Sequence, residues 1–167
     1  MMRSAEKRLD AISIREAKRE DVPRILDAIK GLAAYEKMSD DVVATEEILE
    51  EWLFDKKKAT VLLADYDGQP AGFALYFTNF STFLGRAGLY LEDLFIHEEF
   101  RGKGIGGLLL KRLAKIARDE GYGRFEWVCL DWNKPAIDYY LDIGAVAMDE
   151  WTIYRMDQKR LTEFAEE

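Results

Sequence analysis

Polar and apolar residues alternate over residues 12–17, Ile-Ser-Ile-Arg-Glu-Ala, which predicts a short strand. Asp21 and Pro23 then open a segment whose apolar positions, Val22, Ile25, Leu26, Ile29, Leu32 and Ala33, recur at helical spacing. A second helix start reads Thr45-Glu46-Glu47-Ile48, followed by Leu49, Trp52 and Leu53. Residues 59–66 predict a strand, Asp67-Gly68 a hairpin turn, and residues 70–80 its partner, with Phe73, Leu75 and Phe77 on one face and Tyr76 on the other. Ser81 to Gly88 reads as a loop. Residues 89–96 read as a strand with two carboxylates, Glu92 and Asp93, in its middle. A glycine-rich stretch over residues 101–107 leads into an amphipathic helix, with Ile105, Leu108, Leu109, Leu113, Ile116 and Ala117 on its apolar face. Residues 124–131 and 146–156 predict further strands, a short helix over 134–142 lies between them, and an acidic helical tail follows. The order is that of an α/β fold with a mixed sheet.

Composition narrows the class. The chain has 167 residues, with 24 Lys and Arg against 32 Asp and Glu, a net charge of −8. That length fits one domain: residues 1–11 read as a loose charged arm and residues 12–167 as the single domain. No apolar run approaches the ~18 residues of a membrane helix, and the first ten residues lack the apolar stretch of a signal peptide. One cysteine, Cys129, makes no internal disulfide, which fits a reducing cytoplasm. One cysteine and one histidine, His97, cannot build a Cys/His zinc site, so no metal is expected. A chain this acidic is a poor general binder of nucleic-acid phosphates, and its surplus of carboxylates suits a cationic small molecule.

Gly102, Gly104, Gly106 and Gly107 sit between a strand and a helix. Glycine accepts positive φ and lets a ligand approach the backbone, and free N–H groups at a helix start cradle anions. A flexible turn with a helix cap would use the same residue type, but one turn does not need four glycines. A phosphate or pyrophosphate ligand is therefore favoured. The spacing of Gly102, Gly104 and Gly107 also fits a dinucleotide fingerprint, yet residues 97–101 intervene between strand and first glycine, where that fold leaves almost no gap. A Walker-type loop is absent from the sequence.

Arg101-Gly102-Lys103-Gly104-Ile105-Gly106 resembles the acyl-CoA pyrophosphate motif of the GCN5-related N-acetyltransferases (GNAT), in which Gln or Arg is followed after two residues by Gly-x-Gly or Gly-x-Ala. Trp132-Asn133-Lys134-Pro135-Ala136 and Tyr139-Tyr140 ahead of Gly144-Ala145 add to the likeness. Tyr90-Leu91-Glu92-Asp93 and Leu130-Asp131-Trp132-Asn133 resemble the diamine acetyltransferase branch, which holds the spermidine/spermine enzymes and their thialysine-acetylating relatives. The likeness runs over residues 12–157 and is dense over 88–145. It implies the GNAT fold, a mixed sheet of about six or seven strands flanked by about four helices. It also implies acetyl-CoA as co-substrate, a homodimer paired through the C-terminal strands, and direct attack of a small primary amine on the thioester.

The resemblance assigns roles residue by residue. Tyr140 is the general acid, since a phenol near pKa 10 holds a proton for the departing sulfur. Glu92 is the base or amine anchor, and Asp93 joins it in the acceptor site. Mid-strand carboxylates are unfavourable in sheets, and strict alternation would point these two to opposite faces. Main-chain groups of Leu94, Phe95 and Ile96 meet the pantetheine arm, and residues Arg101, Gly102, Lys103, Gly104, Ile105, Gly106 and Gly107 hold the diphosphate. Asn133 caps the short helix and, with Pro135 and Ala136, lines the coenzyme. Tyr35 and Glu36 match the aromatic and acid of the amine pocket. Ser81 and Phe83 stand where the spermidine enzymes carry an acid and a tryptophan, which moves the acceptor away from polyamines toward lysine-like amines, thialysine or short diamines. Asp142 departs from the basic residue of those enzymes. Acetylation of a protein lysine or α-amine, of an antibiotic amine, or coenzyme binding without turnover are the alternative readings.

Overall fold

The computed structural model describes residues 9–167 and divides the chain into two compact units, one ending at Val128 and the other running from Cys129 to Glu167. The arm expected over residues 1–11 lies outside the described residues for positions 1–8. The first unit holds a five-stranded sheet in the order β1 (Ile12–Glu16), β2 (Thr60–Tyr66), β3 (Gln69–Ser81), β4 (Arg86–Ile96) and β5 (Phe125–Trp127). Neighbours are antiparallel except β4 and β5, which run parallel. Helix α1 (Val22–Tyr35) and the short α2 (Glu46–Glu50) link β1 to β2, and α3 (Ile105–Asp119) makes the crossover from β4 to β5.

Local signals account for most of these elements. Asp67 and Gly68 both take positive φ, 49° and 76°, as the two-residue turn between β2 and β3 requires. Thr45 caps α2 by accepting from the Ile48 N–H at 3.3 Å, and the chain then widens into a π turn over Glu51–Asp55. At the start of α1, Asp21 accepts two bonds from the Arg15 guanidinium at 2.7 and 2.8 Å and one from the Lys18 N–H at 2.8 Å. The pairing with Arg15 holds its carboxyl down at about 2 and ties β1 to the helix.

Two packed layers enclose the sheet. On one side Ile25 and Ala28 of α1 pack with Val61, Leu63, Phe73 and Phe95. The other layer is α3, which buries Ile105, Leu109 and Leu113. Each such leucine contributes about 2 kcal/mol of apolar burial.

Several expectations change. The loop expected over Ser81 to Gly88 shrinks to residues 82–85, because Ser81 pairs with Arg86 and its hydroxyl accepts from the Leu84 N–H at 3.2 Å to close the turn. Among the described residues the sheet has five strands rather than six or seven. In the second unit, which holds α4 (Lys134–Asp142) and α5 (Gln158–Glu166), residues 146–156 form no strand. A turn closed by the Trp151 N–H on the Met148 carbonyl, at 3.1 Å, cuts that apolar run, and Val146 and Tyr154 are 79% and 92% exposed. The strand expected over 124–131 is likewise reduced to Phe125–Trp127.

Candidate active site

The site is built around a break in strand register. Leu75 of β3 lies opposite Asp93, but its neighbour Tyr76 lies opposite Leu91, so Glu92 is an extra residue with no cross-strand partner. The bulge reverses the facing of β4. Before it, Leu89 and Leu91 pair with Thr78 and Tyr76; after it, Leu94 and Ile96 pair with Ala74 and Gly72 on that same face. A Cβ on Gly106 of α3 would sit 3.7 and 3.9 Å from Leu94 and Ile96. Asp93 and Phe95, paired with Leu75 and Phe73, are left on the face that α1 covers. The alternation argument for Glu92 and Asp93 therefore does not hold across this step. The parallel ladder with β5 also stops at Leu91, so from Glu92 to Ile96 this edge of β4 has no strand beside it among the described residues.

Three carboxylates collect there. Burial pushes the Asp93 carboxyl up to about 6, with the charges of Glu92 and Glu36 adding to the effect. Glu36 closes the C-terminal end of α1, and burial raises its carboxyl as well. Glu92 itself is exposed. The charges that act on Asp93 are those of two further carboxylates, a concentration of negative charge that suits an ammonium.

A stability prediction follows from the sign of the Asp93 shift. An unfolded aspartate near 3.8 loses its proton before the folded one near 6, so stability falls as pH rises between those values. Above them the full deficit applies, about 2–3 kcal/mol. Asp93→Asn removes it. Thermal unfolding is expected to show the variant several degrees more stable than wild type at pH 8, with the gap closing by pH 3, below both values; equal melting temperatures at pH 8 would refute the assignment.

The glycine loop follows. Gly102 and Gly104 take φ of 74° and 84°, and a Cβ on either would meet nothing within 4 Å. Gly104 is the N-cap of α3, so the N–H groups of Ile105, Gly106 and Gly107 have no carbonyl of the helix to bond. The first turn of α3 carries no acidic residue. Buried Ile105 anchors the loop from below, while Arg101 and Lys103 flank it. The Lys103 ammonium lies 5.2 Å from the Tyr66 ring centroid. An open backbone cradle at the positive end of a 15-residue helix, with two cations beside it, fits the diphosphate of a coenzyme.

The remaining candidates are carried by other elements. Ser81 and Phe83 are at the tip of the β3–β4 hairpin, six residues along β3 from Leu75, about 20 Å from the bulge. Ser81 spends its hydroxyl on the turn, and Phe83 is 99% exposed. The pair is not brought together with Tyr35, Glu36, Glu92 and Asp93. In the second unit Asn133 occupies the N-cap of α4 by position, but its side chain makes no capping bond, contrary to expectation. Pro135 and Ala136 form the first turn of that helix, and half-buried Tyr140 stands edge-on to Tyr139 at 6.2 Å between centroids. Tyr140 also accepts from the Ala145 N–H through its backbone carbonyl. Sequence reasoning did not find the bulge, although two adjacent carboxylates in mid-strand were its one visible sign.

Known proteins place this architecture. The model of the acetyltransferase (GNAT) family matches residues 23–145. The thialysine N-epsilon-acetyltransferase of Sus scrofa is 38% identical over 167 aligned residues, spanning 93% of this chain and 98% of that protein. The L-ornithine N5-acetyltransferase of Arabidopsis thaliana is 32% identical, spanning 86% of this chain and 83% of its own. Among solved structures, an integron cassette protein from the mobile metagenome of V. cholerae shares the fold at a TM-score of 0.79 and 27% identity, over 94% of this chain and 99% of that one. The chain belongs to the GNAT acetyltransferase family and is an N-acetyltransferase acting on an amine.

Proposed function

We propose that the acceptor is the side-chain amine of a lysine-like amino acid such as thialysine, or of a short diamine. The observation that carries this reading is the group of three carboxylates at the β4 bulge, where unpaired Glu92 and the helix-end Glu36 act on half-buried Asp93. The names of the two curated relatives, which act on thialysine and L-ornithine, support a short chain ending in an amine. Arg101, Lys103 and the backbone from Gly102 to Gly107 hold the coenzyme's diphosphate, and the open β4 edge from Leu94 to Ile96 offers main-chain groups to its pantetheine arm. In the second unit, Asn133, Pro135 and Ala136 are the residues of α4 that we assign to the coenzyme.

Acetyl-CoA supplies an acyl group activated as a thioester. A free primary amine is almost wholly protonated at neutral pH, so the acceptor arrives as an ammonium. Glu92 holds that ammonium and takes one proton, which frees the nitrogen lone pair to form the new bond to carbon. Asp93 and Glu36 add negative charge that draws the cation in. Tyr140 gives its phenolic proton to the sulfur as the carbon–sulfur bond breaks, and the second proton that the newly acylated nitrogen sheds passes through solvent to restore the phenol. The protein works as a homodimer in the cytoplasm; exposed Trp151, Ile153 and Tyr154 supply an apolar surface for the partner.

The acceptor is tested by following thiol release from acetyl-CoA against thialysine, lysine, ornithine, short diamines, spermidine and lysine peptides. Thialysine or a short diamine is expected to give the highest kcat/KM, and spermidine a lower one. A preference for spermidine or for peptides would overturn the acceptor assignment.

A further inference from the structure

One side chain joins the glycine loop to the end of α1. Arg101 donates from Nε to the Ile96 carbonyl at 3.0 Å. Its guanidinium carbon lies 4.9 Å from the Tyr35 ring centroid and 5.7 Å from that of Phe95. Phe95 is itself lodged against α1. A Cβ on Gly31 would fall 2.7 Å from the Phe95 ring, so the missing side chain at Gly31 is what admits it. A stack therefore runs from α1 through Phe95 to Arg101, and Tyr35 stands next to Glu36, whose charge reaches Asp93.

The bond from Nε leaves the two terminal amino groups of Arg101 for an anion. A guanidinium bonds anions in its plane and stacks on rings through its face, so one Arg101 can do both at once. An anion gripped in the plane fixes how that plane lies over Tyr35.

We propose that Arg101 is a positioning residue that couples the two binding steps: coenzyme in the glycine loop orients the guanidinium, which sets Tyr35 and Glu36 for the acceptor amine. The inference rests on the reading of the loop as the coenzyme site and of Tyr35–Glu36 as acceptor wall. Such coupling is reciprocal. Coenzyme tightens the acceptor by the factor with which the acceptor tightens the coenzyme.

Calorimetry with CoA and thialysine tests it, because CoA carries no acetyl group and the ternary complex cannot turn over. In the wild type, saturating CoA is expected to lower the Kd of thialysine by about fivefold or more. Tyr35→Phe keeps the ring and keeps the factor. Tyr35→Leu reduces it to about twofold or less while still binding CoA. Tyr35 is 38% exposed, so the leucine leaves the melting temperature of the unliganded protein near wild type, and thermal unfolding verifies this. Independent binding of the two ligands in the wild type, or a Tyr35→Leu variant that retains the whole factor, overturns the proposal. Failure of the wild type to bind CoA at all is a distinct result: it removes the coenzyme reading itself, and the coupling with it.

Discussion

Replacing Tyr140 by phenylalanine is expected to lower kcat by about 10²-fold or more while leaving acetyl-CoA affinity and melting temperature close to wild type. The substitution removes one oxygen and keeps the ring, so the edge-on packing against Tyr139 persists. Under the proposed mechanism, the phenol that disappears is the group offering a proton to the departing sulfur. Without it, the leaving group must separate as a bare thiolate or take a proton from water. The loss is expected to be smallest at low pH, where the solvent supplies protons more readily, and smallest for acyl donors whose thiol is already a good leaving group. Steady-state kinetics with calorimetric binding separate the two contributions. Wild-type turnover in Tyr140→Phe would remove the residue from the reaction.

Gly104→Val is expected to weaken acetyl-CoA binding by about tenfold or more, since it puts a branched side chain where the backbone faces the ligand. Space within the protein is not the obstacle, because a Cβ at Gly104 meets nothing within 4 Å. The side chain projects into the opening that the coenzyme would use. The positive φ of 84° adds a strain of roughly 1–2 kcal/mol for any L-residue, which thermal unfolding will show as a modest drop. Gly106→Ala serves as the control. Its Cβ makes ordinary contacts at 3.7 and 3.9 Å with Leu94 and Ile96, so the fold should persist. Full affinity in Gly104→Val would contradict the cradle.

Much of the fold was legible because the relevant forces are local. The Asp67-Gly68 turn, the Thr45 cap and the apolar stripes of α1 and α3 each depend on residues a few positions apart. The glycine loop was legible for the same reason, since its chemistry is backbone conformation written in one residue type. The features that escaped are relational. Nothing within Leu91-Glu92-Asp93 states which residue lacks a partner; that is fixed by how β4 meets β3. The end of the β5 ladder at Leu91 depends on the same step. Residues 146–156 have the composition of a strand, but composition supplies no hydrogen-bonding neighbour, and the turn at Met148–Trp151 interrupts the run. Ser81 and Phe83 were grouped with the acceptor residues through a resemblance in sequence, whereas the ladder counts them out to the hairpin tip.

The unpaired position of Glu92 also bears on how such an enzyme can change its substrate over evolutionary time. A side chain that fills no slot in either packed layer can be exchanged without opening a void or forcing neighbours apart. Changes of charge and size at this position can therefore leave the scaffold's melting point where it is, a freedom that buried Leu91 and Phe95 on either side do not share.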